Sequence, residues 1–335
     1  MKKYSQLKGE RHCLKDMIPL EKPFTLLFDP SSVCNFSCVQ CFHSVEGAEE
    51  LLPKGFMDLE QFRKIVDGLC EWKGPLIKVV RFIGFGEPFV NKKTPDMIRY
   101  LKEANVAERI EVTTNGSLIT EEVAEQLVDI GLDYVRISIY SAIQERHEKI
   151  TNSRMNISRI YENIRTLQQI KRQKQRETPF VYIKMLDTFN EEENDAFFQM
   201  YSDIADEIAI EKPHNWLDRN EKDYISDLYQ SKQLNLDYFN SGQKVCPQPF
   251  KMLSIRQNGD VIVCDPDWVN NTKVGNAFEE SLEEIWHGKK LKEFWKMQIE
   301  GRRWENESCR QCTFLNEKYV LDNIDGISIR QIENW

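Results

Sequence analysis

The chain lacks any run of eighteen apolar residues, so no segment reads as a helical membrane span. Its opening stretch, MKKYSQLKGERHCLKDMIPL, carries charge but no apolar core of signal-peptide length, which removes a secretion signal and points to a cytoplasmic protein. Basic excess is missing too. The 45 Lys and Arg against 54 Asp and Glu leave a net charge of −9, which argues against a dedicated nucleic-acid binder. There is no internal repeat and no low-complexity tract, which sets aside repeat arrays and long disordered segments. What remains is an ordinary globular composition, 41% apolar and 30% charged, and 335 residues suffice for one large domain or two modules.

Cysteine is where the sequence becomes specific. Cys34, Cys38 and Cys41 form a Cys-x3-Cys-x2-Cys run. In a reducing compartment such thiols are metal ligands more often than disulfide partners. Three thiolates on a four-iron cubane leave one iron open, and an open position separates a catalytic metal centre from a closed structural one. A zinc knuckle is the competing reading. Cys246, Cys264, Cys309 and Cys312 make a second group. Four thiolates saturate a cluster and leave no iron for substrate, and the same spacing permits a four-cysteine zinc site. Cys70 continues an apolar helical stripe and is expected in the core; Cys13 has no assigned role.

From residue 24 to 210 short β-rich runs alternate with amphipathic helices. The strand candidates are 24–29, 78–84, 110–114, 134–139, 180–185 and 207–210, and most read as apolar runs buried on both faces, as in a parallel sheet. One helix begins at Asp58, with Leu59, Phe62, Ile65, Val66 and Leu69 as its stripe. Six strands with intervening helices imply right-handed crossovers. Residues 1–23 are a lead-in and 211–240 a polar connecting segment. A further module, 241–335, holds a hairpin at Asn258-Gly259-Asp260 and a helix from about 281 to 300. Lys184 interrupts an apolar strand, which is costly unless it faces a polar cavity or an anion. His214 and Trp216, just past the sixth strand, are candidates for a substrate pocket by position.

The cysteine triplet is the signature of the radical S-adenosylmethionine (SAM) superfamily, which the chain resembles over roughly residues 17 to 315. The fold implied is α/β, a partial (β/α)6 TIM-like barrel. The resemblance implies that Cys34, Cys38 and Cys41 hold a [4Fe–4S] cluster and that SAM chelates its fourth iron. Reductive cleavage of SAM then yields a 5′-deoxyadenosyl radical, which takes hydrogen from a substrate, and a flavodoxin- or ferredoxin-type protein donates the electron. Gly84-Phe85-Gly86-Glu87-Pro88 is similar to the superfamily's Gly-Gly-Glu-Pro element, which puts Gly86 and Glu87 at the amino end of SAM. By the same analogy Asn115 and Ser138 approach the ribose and the methionine carboxylate, and Arg154 clamps that carboxylate. The residue before the third cysteine, often aromatic in the superfamily, is Gln40, a departure that bears on the adenine contact expected near Phe42. Cys246-x12-Gly259-x4-Cys264, followed by Cys309-x2-Cys312, resembles the SPASM/twitch accessory domain. No cysteine follows Cys312, which implies a reduced version with one auxiliary [4Fe–4S] cluster.

Two reactions suit that pairing. A dehydrogenase passes the second electron to the auxiliary cluster, and Asp265 and Asp267 beside Cys264 are the candidate bases, with a plain Asp-Pro-Asp turn as the alternative. An epimerase needs a spare thiol near the substrate. If all four C-terminal cysteines bind iron none is evident, so oxidation is favoured. About twenty residues precede the first strand, which leans toward a small polar, sugar-like substrate and leaves open a peptide, as for a maturase of ribosomally made precursors.

Overall fold

A computed structural model describes residues 12–45, 47–211, 242–310, 312, 315 and 322–333. All six expected strands are present: β1 Thr25–Phe28, β2 Val79–Phe82, β3 Ile110–Thr114, β4 Tyr134–Ile139, β5 Phe180–Leu186 and β6 Glu207–Glu211. Each pairs in parallel with its neighbour in sequence, with helices on the crossovers. Helix starts are fixed by side-chain caps that satisfy the first free N–H groups. Asp58 accepts from Glu60 and Gln61, Thr120 from Val123, Asn156 from Ser158 and Asn190 from Glu193.

One face of the sheet is apolar, while the other carries mostly charged and polar side chains, several of them buried, which corrects the expectation of runs apolar on both faces. Leu26, Phe28, Val80, Phe82, Ile110, Val112, Val135, Ile137, Val181 and Ile183 join one core with the helices. The alternate positions, Arg81, Glu111, Arg136, Tyr182, Lys184 and Glu211, lie on the opposite face by the two-residue period of a strand. They neutralise one another there. Glu111 takes Arg81 at 2.5 Å and Arg109 at 2.6 Å. Glu211 takes Lys184 at 2.6 Å, the Tyr182 hydroxyl at 2.9 Å and Arg136 at 3.1 Å.

The C-terminal segment supplies β7 Met252–Ile255, β8 Asp260–Ile262 and β9 Lys273–Asn276. β7 and β8 form the expected hairpin, whose Gly259 has φ +85°, where a Cβ would overlap Asn276 and Phe278. β7 also pairs in parallel with β1. The sheet therefore runs β6-β5-β4-β3-β2-β1-β7-β8-β9, open at both ends among the described residues, and crosses the expected module boundary without a break. The single helix expected at 281–300 is two, Leu282–His287 and Lys289–Ile299, separated by Gly288 in extended conformation. Cys70 is exposed, not core: Leu69 and Trp72 take the buried positions at that end of its helix. No described helix is long and apolar enough to cross a membrane.

Candidate functional site

The three-cysteine loop leaves the carboxyl end of β1, where open α/β sheets bind ligands. Its first half is pinned from below. The Ser37 and Val39 N–H groups donate to the carbonyls of Thr151 and Ile150, and Phe36 is buried in the main core. Asn35 bonds Ser117 at 2.8 Å and Asn115 at 2.9 Å, which ties the loop to the end of β3. The Phe36 N–H donates to the Cys34 sulfur at 3.4 Å. The Tyr140 hydroxyl bonds the Cys38 sulfur. Burial pushes the Cys34 thiol up to about 12 and raises Cys38 and Cys41, and the Cys34 and Cys38 sulfurs also feel their neighbours. A cationic iron centre is the partner that offsets the cost of buried thiolates.

The Gly84–Pro88 turn supports this loop. A Cβ at Gly86 would overlap the carbonyl oxygens of Ser31 and Val33, so only glycine lets the two backbones touch. The buried Glu87 carboxylate accepts from Thr114 Oγ1 at 2.6 Å, the Asn115 N–H at 2.8 Å and the Phe89 N–H at 3.3 Å. Burial lifts its carboxyl to about 7 against those donors. Gly86, Glu87 and Asn115 thus lie behind the cavity wall, joining β2, β3 and the cysteine loop.

A cavity of about 290 Å³ adjoins Cys41 and is lined by Gln40, Phe42, Ile83, Gly84, Phe85, Ser138, Ile139, Tyr140, Lys184, Leu186, Asp265, Pro266 and Trp268. The structure thus brings together Phe42, Ser138, Lys184 and Asp265 from the residues singled out in the sequence. Among the described residues Asp265 has no hydrogen-bond partner; burial raises its carboxyl, while Arg81 and Arg256 pull it down. Burial lowers the Lys184 ammonium, opposed by Glu211.

Two candidates do not line the cavity. Asp267 is fully buried, with Oδ1 taken by the Ser308 hydroxyl at 2.5 Å and Oδ2 by the Thr272 N–H and hydroxyl at 2.7 and 2.8 Å, so it braces a loop and has no free oxygen for a base's work. Arg154 is exposed in the turn before the helix Ile157–Gln173 and does not line the cavity. His214 and Trp216 lie outside the described residues. Tyr140 and Trp268 were missed. Tyr140 was legible as the residue directly after the strand that carries Ser138, whereas Trp268 carried no signal beyond its closeness to Cys264.

The second cysteine group assembles from three segments. Cys264 is raised by burial and then by the Cys246, Cys312 and Cys309 sulfurs; Cys246 is lifted to about 11 and Cys309 to about 12. Arg303 donates to the Cys309 and Cys312 carbonyls at 2.6 and 3.1 Å, and Gln298 Nε2 to the Cys309 sulfur at 3.6 Å. Among the described residues no His, Cys, Asp or Glu group is gathered tightly enough for one metal ion. Four thiols brought together from three segments can hold an iron–sulfur cluster. Both cysteine groups fit iron–sulfur clusters, and the cavity beside Cys41 fits a cosubstrate docked against the first.

Comparison with known proteins agrees. The family model described as Radical SAM superfamily matches residues 29–198, and the one described as Iron-sulfur cluster-binding domain (SPASM) matches 246–313. A tungsten-containing aldehyde ferredoxin oxidoreductase cofactor-modifying protein of Pyrococcus furiosus is 35% identical over 114 residues, 34% of this chain and 30% of that protein. The chain thus spans about a third of the length of the first curated relatives it matches. An S-adenosyl-L-methionine-dependent 2-deoxy-scyllo-inosamine dehydrogenase of Niallia circulans is 20% identical over 88% of this chain and 94% of its own. Two solved structures share the fold. BtrN in complex with AdoMet and 2-DOIA has TM-score 0.54 and 18% identity, covering 86% of this chain and 92% of that one. Streptococcus suis SuiB bound to precursor peptide SuiA has TM-score 0.61 and 16% identity, covering 94% and 77%.

Proposed function

Because the chain belongs to the radical SAM superfamily, we propose that it takes hydrogen from a C–H bond of a small, polar, sugar-like substrate and oxidises it as a dehydrogenase. The observation that carries this reading is the cavity wall. It presents the Asp265 carboxylate, and Cys41 is its single thiol although all nine cysteines are described. An epimerase requires a thiol to return hydrogen to the opposite face, and Cys41 is committed to the triplet.

When bound, a [4Fe–4S] cluster at Cys34, Cys38 and Cys41 with SAM beside it supplies the hydrogen-abstracting radical, and one at Cys246, Cys264, Cys309 and Cys312 supplies a one-electron acceptor. The chain's own residues do the rest. Asp265 receives the hydroxyl proton as the neighbouring carbon loses its hydrogen atom and then one electron, so that a CH–OH group becomes C=O. Lys184, held by Glu211, donates a hydrogen bond to a substrate oxygen, and Ser138 offers one to SAM. Ile83, Phe85, Ile139, Leu186 and Trp268 keep water from the reacting atoms. We assign 24–210 to the barrel and 241–335 to the auxiliary module, with a flavodoxin- or ferredoxin-type donor feeding the first centre. The Niallia dehydrogenase, matched over nearly its whole length, supports a hydroxylated ring substrate.

The test is anaerobic incubation of reconstituted protein with 2-deoxy-scyllo-inosamine, related aminocyclitols and sugars, and precursor peptides, in deuterated buffer. A product two mass units lighter is expected from a ring substrate. Solvent deuterium at the reacting carbon would replace this reading with epimerisation, and change confined to a peptide would replace it with maturation.

A further inference from the structure

The two halves of the three-cysteine loop are anchored differently. Residues 34–39 hold to the barrel through Phe36, Asn35 and the backbone bonds to Ile150 and Thr151, and Asn152 adds a bond to the Ser37 carbonyl. Among the described residues, the backbone from Cys41 to Val45 and the Ser44 hydroxyl bond within the loop and to the Ala48 N–H just beyond it, and His43 Nε2 reaches the Phe85 carbonyl. What fixes Phe42, the neighbour of Cys41, is a small apolar cluster separate from the main core. Phe42 meets Phe85 edge-on at 4.7 Å and 75°, and stacks on Trp268 at 6.2 Å and 18°. Trp268 is in turn held: Asp267 is bonded to Thr272 and Ser308, and its carbonyl accepts from Arg256, whose guanidinium lies 4.0 Å over the Phe85 ring.

We infer that Trp268 is a positioning residue for SAM binding. By holding Phe42 it sets where Cys41 and the Gln40–Phe42 edge of the cavity stand. It arrives on the loop that begins at Cys264, so the four-cysteine region contributes a wall to the site of the three-cysteine region. The inference needs SAM at the first site, which family membership supplies, and is independent of the substrate proposed above.

The experiment uses full-length, anaerobically reconstituted Trp268→Ala and Trp268→Phe. Equilibrium dialysis with radiolabelled SAM gives the affinity, and electron paramagnetic resonance of the reduced protein gives the spectral change on adding SAM. An aromatic stack of this kind accounts for up to about tenfold in binding. The alanine variant is expected to keep its iron and sulfide, bind SAM about tenfold more weakly and show a diminished spectral response, with phenylalanine recovering most of both. An alanine variant with intact iron that binds SAM within about twofold of the parent overturns the inference. Should alanine lose iron, Trp268→Leu, which keeps bulk without a stacking face, decides by the same two thresholds.

Discussion

The two cysteine groups solve opposite problems. Cys34, Cys38 and Cys41 come from one loop, offer three ligands and adjoin a cavity. Cys246, Cys264, Cys309 and Cys312 come from three segments and are braced by Arg303, Gln298 and Asp267. Three ligands on a four-iron cluster keep a corner for chemistry, and four close it. The contrast teaches that the four-cysteine region also contributes to the cavity, through its loop. Asp265, Pro266 and Trp268 reach the cavity from there, while Asp267, in the midst of them, faces inward and holds the loop.

The comparison breaks most severely at the open site. Cys38→Ala is expected to abolish SAM cleavage, read as 5′-deoxyadenosine by chromatography; unchanged cleavage would remove the proposed ligand set. Cys309→Ala is expected to lower iron from about eight to about four per chain while SAM cleavage persists and substrate oxidation stops. Full oxidation in that variant would exclude an essential acceptor role. Next comes the pair of aspartates. Asp265→Asn should slow oxidation by about 10²-fold with little change in stability. Asp267→Asn should cost about 1–3 kcal/mol of stability, seen in thermal unfolding, by leaving one of its buried partners unpaired. Reversal of those two phenotypes would exchange their roles.

A smaller effect tests the seam between β1 and β7. Burial lifts the Asp29 carboxyl to about 7, against the pull of Arg256 and of nearby backbone groups. The folded protein therefore holds this proton more tightly than the unfolded chain, whose value is about 3.9. That stabilisation is complete at low pH and fades as pH rises through about 7. Asp29→Asn should accordingly gain in melting temperature relative to the parent as pH rises from about 4 to about 7, and a flat difference over that range would contradict the assignment. The smallest effect serves as a control far from both centres: Asp58→Ala should cost about 1 kcal/mol by uncapping its helix and leave both iron content and SAM affinity unchanged.

Much of the barrel was legible because β-rich runs and capped, striped helices are local signals. All six strands and the cap at Asp58 stand where the pattern put them. The charged strand face was not read as such. Arg81, Arg136 and Lys184 each look like an isolated interruption until the parallel sheet sets Arg81 opposite Glu111 and brings Arg136 and Lys184 within reach of Glu211. Cys70 misled for a similar reason, since helical spacing marks a face but the end of the helix and Trp72 decide which side is covered.

The spacing of Cys34, Cys38 and Cys41 carried the chemistry in the sequence itself, because ligands of one loop must lie within a few residues of each other. Which aspartate faces the cavity, that β7 adds to β1, and that a tryptophan beside Cys264 meets the phenylalanine beside Cys41 were decided only by the folded chain. Residues 226 positions apart acquire a contact through sheet register and packing, and neither leaves a local mark in the order of amino acids.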